Sequence, residues 1–89
     1  MRVRVLYFGV LKDVFGCESE MLALADGASV AELLMVCRGR GKGSAGLWDS
    51  LAVAVNQEYA RGGDALKDGD EVALLPPVSG GLSLRRRAG

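Results

Sequence analysis

The sequence predicts an α+β fold in which a mixed sheet of four or five strands packs against one main helix. Three observations lead to this prediction. The 89 residues are enough for one hydrophobic core but not for two. Five short segments have the alternation, or the β-branched and aromatic content, that is typical of strands. Only one longer segment has apolar residues at helical spacing behind a capping signal.

The first strand is predicted over residues 2–8, which read RVRVLYF. Successive side chains of a strand point to opposite faces, so Val3, Val5 and Tyr7 share the face that would enter the core. The other face is partly apolar, and its members are Arg2, Arg4, Leu6 and Phe8.

A short helical turn and a second strand are predicted next. Apolar residues within residues 10–15 are spaced like one helical turn, and Gly16 is placed to end it. Residues 18–24 suit a second strand that leads into a turn.

The main helix is predicted to begin behind Ser29. Glu32 follows three residues later, which is the spacing of a capping box, and Gly39 is placed to end the helix. One face of this helix is apolar and would be buried. Its members, at i, i+3, i+4 and i+7, are Val30, Leu33, Leu34 and Cys37.

A glycine-rich basic loop is predicted over residues 38–46. Within it Gly41, Gly43 and Gly46 match the G-x-G-x-x-G pattern of some phosphate-binding loops. The match follows a helix and precedes a strand-like segment, which reverses the order that directs backbone N–H groups at a phosphate. We therefore interpret it as a surface loop.

Three more strands complete the predicted sheet. Residues 51–56 form the third, residues 58–66 contain a short fourth strand and a reversal, and residues 71–75 form the last. The first and last strands would lie parallel in the centre, with one helix covering one face, which is a β-grasp fold. On the last strand Val72 and Leu74 share one face, and Glu71, Ala73 and Leu75 share the opposite one.

Composition excludes several classes of function. The chain has no histidine, and Cys17 and Cys37 have no neighbours at metal-ligand spacing, so we expect neither a metal site nor a catalytic group. No stretch approaches the roughly 18 apolar residues of a membrane span. Because the first residues alternate instead of forming an apolar run, they do not resemble a signal peptide, and we expect a cytoplasmic protein.

Charge is divided between the body and the end of the chain. Residues 1–81 hold 8 Lys and Arg against 11 Asp and Glu, a net charge of −3, whereas residues 82–89 hold three arginines. The acidic body argues against nucleic-acid binding, while the basic end could attach to an acidic surface.

Three segments resemble a known family: VLYFG at 5–9, AVNQEY at 54–59 and DGDEVALLPPVSGG at 68–81. The last is the specific one, because it combines a strand ending in Pro-Pro with a glycine pair at fixed spacing. Over residues 1–81 the chain is similar to the small subunits of molybdopterin synthase, which are ubiquitin-like sulfur carriers with the β-grasp fold. The resemblance implies a role in molybdenum cofactor biosynthesis.

The resemblance implies that the chemistry takes place at Gly81. In this family a partner related to ubiquitin-activating enzymes uses ATP to adenylate the second glycine, and a sulfur-donor protein supplies the sulfur of a thiocarboxylate. The large synthase subunit then uses this sulfur to form the dithiolene of the pyranopterin. The chain itself would be a non-catalytic donor that binds no cofactor. We call residues 76–81 the arm; the residues that would thread into the partner are Pro76, Pro77, Val78, Ser79 and Gly80.

A recognition surface is predicted from three residues outside the core pattern. Phe8 and Leu75 are large apolar residues on strand faces that point away from the core, and Tyr59 lies near a turn. Their positions match those at which the family contacts its enzymes. The alternative, that Phe8 and Leu75 fill a second minor core, stays open at this point.

The basic extension LSLRRRAG, residues 82–89, departs from the family pattern. While it is attached, the carbonyl of Gly81 belongs to an amide and cannot be adenylated. We favour removal by a protease. A linker to a fused large subunit, or a remnant of the gene's history, is a second explanation. Reaction at the terminus Ala88-Gly89 is the least expected.

Three further functions fit the same fold. A thiamine-pathway sulfur carrier shares the glycine pair, and a ubiquitin-like modifier would be joined to lysines of target proteins through Gly81. The third is a β-grasp binding module that no longer reacts because its end is blocked.

Overall fold

The computed structural model describes residues 1–40 and 45–76 of the chain. The strands are β1 Arg2–Tyr7, β2 Ser19–Ala23, β3 Ala52–Val55, β4 Glu58–Ala60 and β5 Glu71–Leu75. The helices are α1 Val10–Phe15, α2 Val30–Arg40 and α3 Ala45–Asp49. In this described part no helix is long and apolar enough to cross a membrane.

The sheet is mixed, with the first and last strands in its centre. Its order is β2-β1-β5-β3-β4, in which β1 runs parallel to β5 and the other neighbours are antiparallel. Parallel neighbours need a crossover connection, and α2 lies within it. The predicted β-grasp arrangement is confirmed.

One face of the sheet is buried beneath the helices. Val3, Val5 and Tyr7 of β1 are at most 1% exposed, and Val72 and Leu74 of β5 are fully buried, as their alternation predicts. All three helices contribute to this same core, with Leu11 from α1, Val30, Leu33 and Cys37 from α2, and Trp48 from α3. Because burying one such aliphatic side chain contributes about 1.5–3 kcal/mol, this core fixes which face turns inward. We call the opposite face the open face.

Helix α2 begins where the sequence predicts and ends later. The Ser29 hydroxyl accepts from the backbone N–H of Glu32 at 3.2 Å, and the Ser29 N–H donates to Glu32 Oε1 at 3.1 Å, which is the predicted capping box. The helix runs through Gly39 to Arg40, so the prediction that Gly39 ends it was wrong. Arg40 donates to Glu20 Oε1 of β2 at 2.7 Å, and this contact holds the last turn against the sheet.

Helix α3 was not predicted. It occupies the segment where the sequence indicated a loop ending at residue 46 and then a strand-like segment. Trp48 is 8% exposed and meets the ring of Phe15 edge-on at 5.9 Å. A helix of five residues is too short to show helical periodicity in the sequence. It is also too short to be stable alone, so the burial of the Trp48 ring stabilises it. The element after the glycine-rich loop is therefore a short helix, and residues 41–44 lie outside the described residues.

Candidate partner-binding site

An apolar groove lies at the edge of the sheet where the two central strands end. Because β1 and β5 are parallel, their carboxyl ends meet there, and Phe8 and Leu75 emerge side by side. The antiparallel strand β3 starts at the same edge, so Ala52 lies opposite Leu75. The groove has a volume of about 650 Å³, and its lining residues are Phe8, Gly9, Val10, Ser50, Ala52, Tyr59, Leu75 and Pro76.

The three residues predicted for recognition all line this groove. Phe8 is 42% exposed, Tyr59 is 82% exposed, and Leu75 is half-buried. Neither Phe8 nor Leu75 belongs to the core cluster or packs against it. The structure therefore favours a shared apolar surface over a second minor core. That this surface binds a partner stays a prediction.

The groove also contains the root of the arm. Gly9 precedes α1 as its N-cap, with φ 58° and ψ −134°, which is a region that favours glycine. A Cβ at this position would approach Cγ of Pro76 to 3.0 Å, so the β1–α1 turn packs directly against the first arm residue. The first residue of the arm therefore lies in the apolar groove. Pro77, Val78, Ser79, Gly80, Gly81 and the extension 82–89 lie outside the described residues.

Two ionisable side chains, Cys37 and Tyr7, lie in the core and do not line the groove. Cys37 is buried, and burial raises the pKa of its thiol to about 11, so it stays protonated at neutral pH. Burial and a hydrogen bond to Glu20 raise the pKa of Tyr7 above its usual range. Within residues 1–40 and 45–76, no group of three or more His, Cys, Asp and Glu side chains could hold a metal ion. The described part of the site is an apolar groove beside Pro76.

Sequence reasoning found only part of the groove. It missed Gly9, Val10, Ser50 and Ala52, which are distant from the arm in sequence. The signal that could have found Ala52 is the topology, because a β-grasp sheet places the start of β3 beside the end of β5.

Comparison with known proteins assigns the family. The sequence model of the ThiS family matches residues 5–81, which is most of the chain. The chain belongs to the ThiS family. The match ends at Gly81, so the extension lies beyond the part that resembles the family.

Relatives of this ThiS-family chain carry a consistent name. It is 41% identical over 83 residues to the molybdopterin synthase sulfur carrier subunit of Chlamydomonas reinhardtii, covering 91% of this chain and 100% of that one. It is 35% identical to the subunit of the same name from Homo sapiens, covering 90% and 94%.

Solved structures resemble the ThiS-family chain along its length. SAMP1 from Haloferax volcanii has a TM-score of 0.75 and 34% identity, with 91% of this chain and 100% of that chain covered. A chain in the complex of subunits 1 and 2 of molybdopterin-converting factor from Helicobacter pylori has a TM-score of 0.65 and 30% identity, with the same coverage. Both likenesses support the fold described above.

Proposed function

We propose that this chain is the sulfur-carrier small subunit of molybdopterin synthase and works in the cytoplasm in molybdenum cofactor biosynthesis. The observation that carries the proposal is the apolar groove at the root of the arm, because a carrier must dock where its reactive end enters the partner. The names of the relatives support the same function. The complex from Helicobacter pylori supports a larger synthase subunit as the docking partner.

The proposed reaction takes place at the carboxylate of Gly81. A carboxylate is a poor acceptor for a sulfur nucleophile, so an activating partner first transfers AMP from ATP to it and releases pyrophosphate. A donor protein then supplies sulfur at the oxidation level of sulfide, which attacks the Gly81 carbonyl, breaks its bond to AMP and leaves a thiocarboxylate. The thiocarboxylate sulfur forms a C–S bond to the pyranopterin precursor as a C–O bond of the precursor breaks. Water then hydrolyses the resulting thioester, which leaves the sulfur on the pterin and releases the Gly81 carboxylate, so two such cycles supply the two sulfurs of the dithiolene.

In this proposal the chain supplies the arm that enters the partner and the groove that the partner recognises, and the partners supply the catalytic groups. Pro76 and Pro77 have fixed φ angles, which limits the entropy lost when the arm is threaded. Gly80 and Gly81 have no Cβ and can lie in a narrow channel. The groove would hold the body of the carrier while the arm extends into the active site.

The extension has to be removed before the carrier can react. Gly81 presents a carboxylate only after the bond to Leu82 is cut, so we propose that residues 82–89 form a precursor segment. A partner protease would release it, and the described fold, residues 1–40 and 45–76, is retained in the form that ends at Gly81.

Complementation tests the proposed function. A host that lacks its own molybdopterin synthase small subunit is supplied with this chain, the large subunit and the activating enzyme from the same organism. The form ending at Gly81 is expected to restore molybdoenzyme activity, and the same form with Gly81 deleted is the matched control. The same form is also supplied to a second host, which lacks its own thiamine-pathway sulfur carrier. Growth of that host without thiamine, together with no molybdoenzyme activity in the first host, would favour the thiamine-pathway carrier instead.

A second candidate is a protein modifier. The chain is 30% identical, with a TM-score of 0.70, to small archaeal modifier protein 1 of Haloferax volcanii. A modifier needs the same activated Gly81 but transfers it to a lysine amine. Isopeptide-linked peptides that carry the C-terminal residues of this chain would support that function, and mass spectrometry of tryptic digests would detect them.

A further inference from the structure

The extension, residues 82–89, carries two kinds of side chain, and the surface beside the root of the arm has a region suited to each. We propose that in the uncut chain the extension folds back and covers the groove, so that it blocks docking as well as the Gly81 carboxylate. This inference rests on the proposed function, because it concerns the same groove and the same uncut bond.

The groove presents apolar surface that an occupant would cover. Phe8 is 42% exposed, Val10 is 50% exposed and Tyr59 is 82% exposed, and all three line the groove. Large apolar side chains gathered in one exposed depression are typical of a surface that another segment covers. A volume of about 650 Å³ accepts more than one aliphatic side chain.

A second cavity, of about 380 Å³, adjoins the groove and is acidic. Tyr59 lines both cavities, so they lie side by side. The carboxylates of Glu58 and Asp64 line the second cavity, and none of its lining residues is basic. Both side chains are exposed, and among the described residues neither forms an ion pair. This cavity therefore attracts cationic side chains.

The extension carries the matching groups in the matching order. Leu82 and Leu84 are two residues apart, so they share one face of an extended segment. Three consecutive arginines follow them at positions 85–87. When the two leucines lie in the groove, the arginines reach the acidic cavity beyond Tyr59, because six extended residues span about 20 Å.

The start of the arm brings the extension within reach of the groove. Pro76 lines the groove, and only residues 77–81 separate it from Leu82. Glycine adopts φ angles of either sign, so the chain can reverse direction at Gly80 and Gly81. A tether this short gives the extension an effective concentration on the order of millimolar beside the groove, and a weak contact is then enough.

Cleavage after Gly81 has two effects in this account. It creates the carboxylate that is adenylated, and it removes the tether, so the extension loses its high effective concentration and leaves the groove. The groove then becomes free for the partner. An uncut chain therefore does not occupy large subunits to which it can deliver no sulfur.

Nuclear magnetic resonance of the chain without any partner tests this inference. The ring signals of Phe8 and Tyr59 are expected to differ between the full chain and the form ending at Gly81. The methyl signal of Met35, which is 72% exposed on α2 and lines neither cavity, is the internal control and is expected to be the same in both forms. Differences that disappear on dilution would place the contact between two chains and overturn the inference.

Variants of the extension assign the contact without altering the described fold. Leu82→Ser together with Leu84→Ser, in the full chain, is expected to return the ring signals to their positions in the form ending at Gly81. Replacing the three arginines by glutamine is expected to return them part of the way. Ala88→Ser is the matched control and is expected to leave them as in the full chain. Ring signals that respond to neither the leucine nor the arginine change would overturn the inference.

The outcome separates this inference from the proposed function. Ring signals that are identical in the full chain and in the form ending at Gly81 would overturn the covered groove, while complementation by the shorter form would leave the proposed function standing. Failure of the form ending at Gly81 to complement would overturn the proposed function, whatever the spectra show.

Discussion

The buried hydroxyl of Tyr7 donates a hydrogen bond to Oε2 of Glu20, whose other oxygen accepts from Arg40 at 2.7 Å. Tyr7 belongs to the central strand β1, Glu20 to the edge strand β2, and Arg40 to the last turn of α2. One carboxylate therefore joins the sheet centre, the sheet edge and the helix. The ring of Tyr7 also stacks on Phe15 at 4.2 Å, so its position is fixed from both ends.

Removing the Tyr7 hydroxyl is expected to destabilise the fold. Tyr7→Phe keeps the stacked ring but leaves Glu20 without its buried donor, and a hydrogen bond to a charged group contributes about 1.5–3 kcal/mol to the free energy of unfolding. Urea unfolding monitored by circular dichroism measures the change. Tyr59→Phe makes the same substitution at an 82% exposed site and is expected to change nothing. Equal stabilities of the two variants would contradict a role for the Tyr7–Glu20 bond.

The same carboxylate predicts a loss of stability in acid. Burial works to raise the pKa of Glu20, but hydrogen bonds from Tyr7 and Arg40 lower it below its ordinary value. The unfolded chain therefore binds protons before the folded one does, so the stabilisation is present above the unfolded pKa of about 4.3 and is lost as pH falls through the folded pKa. Unfolding free energies measured from pH 7 down to about pH 3 are expected to fall more steeply in the wild type than in Glu20→Gln. Parallel curves would show that Glu20 is not the linked group.

Most of the fold was predictable because its signals are local. The alternation of Val3, Val5 and Tyr7 assigned β1 to the core, and the pair Ser29 and Glu32 located the start of α2. The predictions that failed concern the end of α2 and the helix α3, whose contacts join residues that are far apart in the sequence. The last turn of α2 is joined to β2 by the bond from Arg40 to Glu20, and α3 places Trp48 in the core.

Only those residues of the candidate site that are unusual for their position in a strand could be predicted from the sequence. Phe8 and Leu75 were found because large apolar residues on an outward strand face are conspicuous, and the family resemblance added Tyr59. Ala52 was missed as a site residue because a small residue says little by itself. Its place in the site depends on the register, which sets Ala52 opposite Leu75.

Placing a charge in the groove is expected to abolish docking without unfolding the chain. Leu75→Glu puts a carboxylate among apolar lining residues, and we expect at least a tenfold loss of affinity for the large subunit, about 1.4 kcal/mol, because the charge would be desolvated in the complex. Thermal unfolding is expected to change by only a few degrees, because Leu75 is outside the core cluster.

The matched control for that variant is Met35→Glu. Met35 is 72% exposed on α2 and does not line the groove, so its substitution is expected to leave binding unchanged. A large drop in the melting temperature of Leu75→Glu would instead assign Leu75 to a second core. Equal losses of affinity in the two variants would show that net charge, rather than the groove, controls binding.

The intact mass of the protein isolated from its native cells tests the central claim most directly. A sulfur carrier predicts a chain that ends at Gly81, with a fraction in which one oxygen is replaced by sulfur, and with the replacement located at Gly81 by fragmentation. A population made up only of chains that still carry residues 82–89, in cells that are actively making molybdenum cofactor, would contradict it.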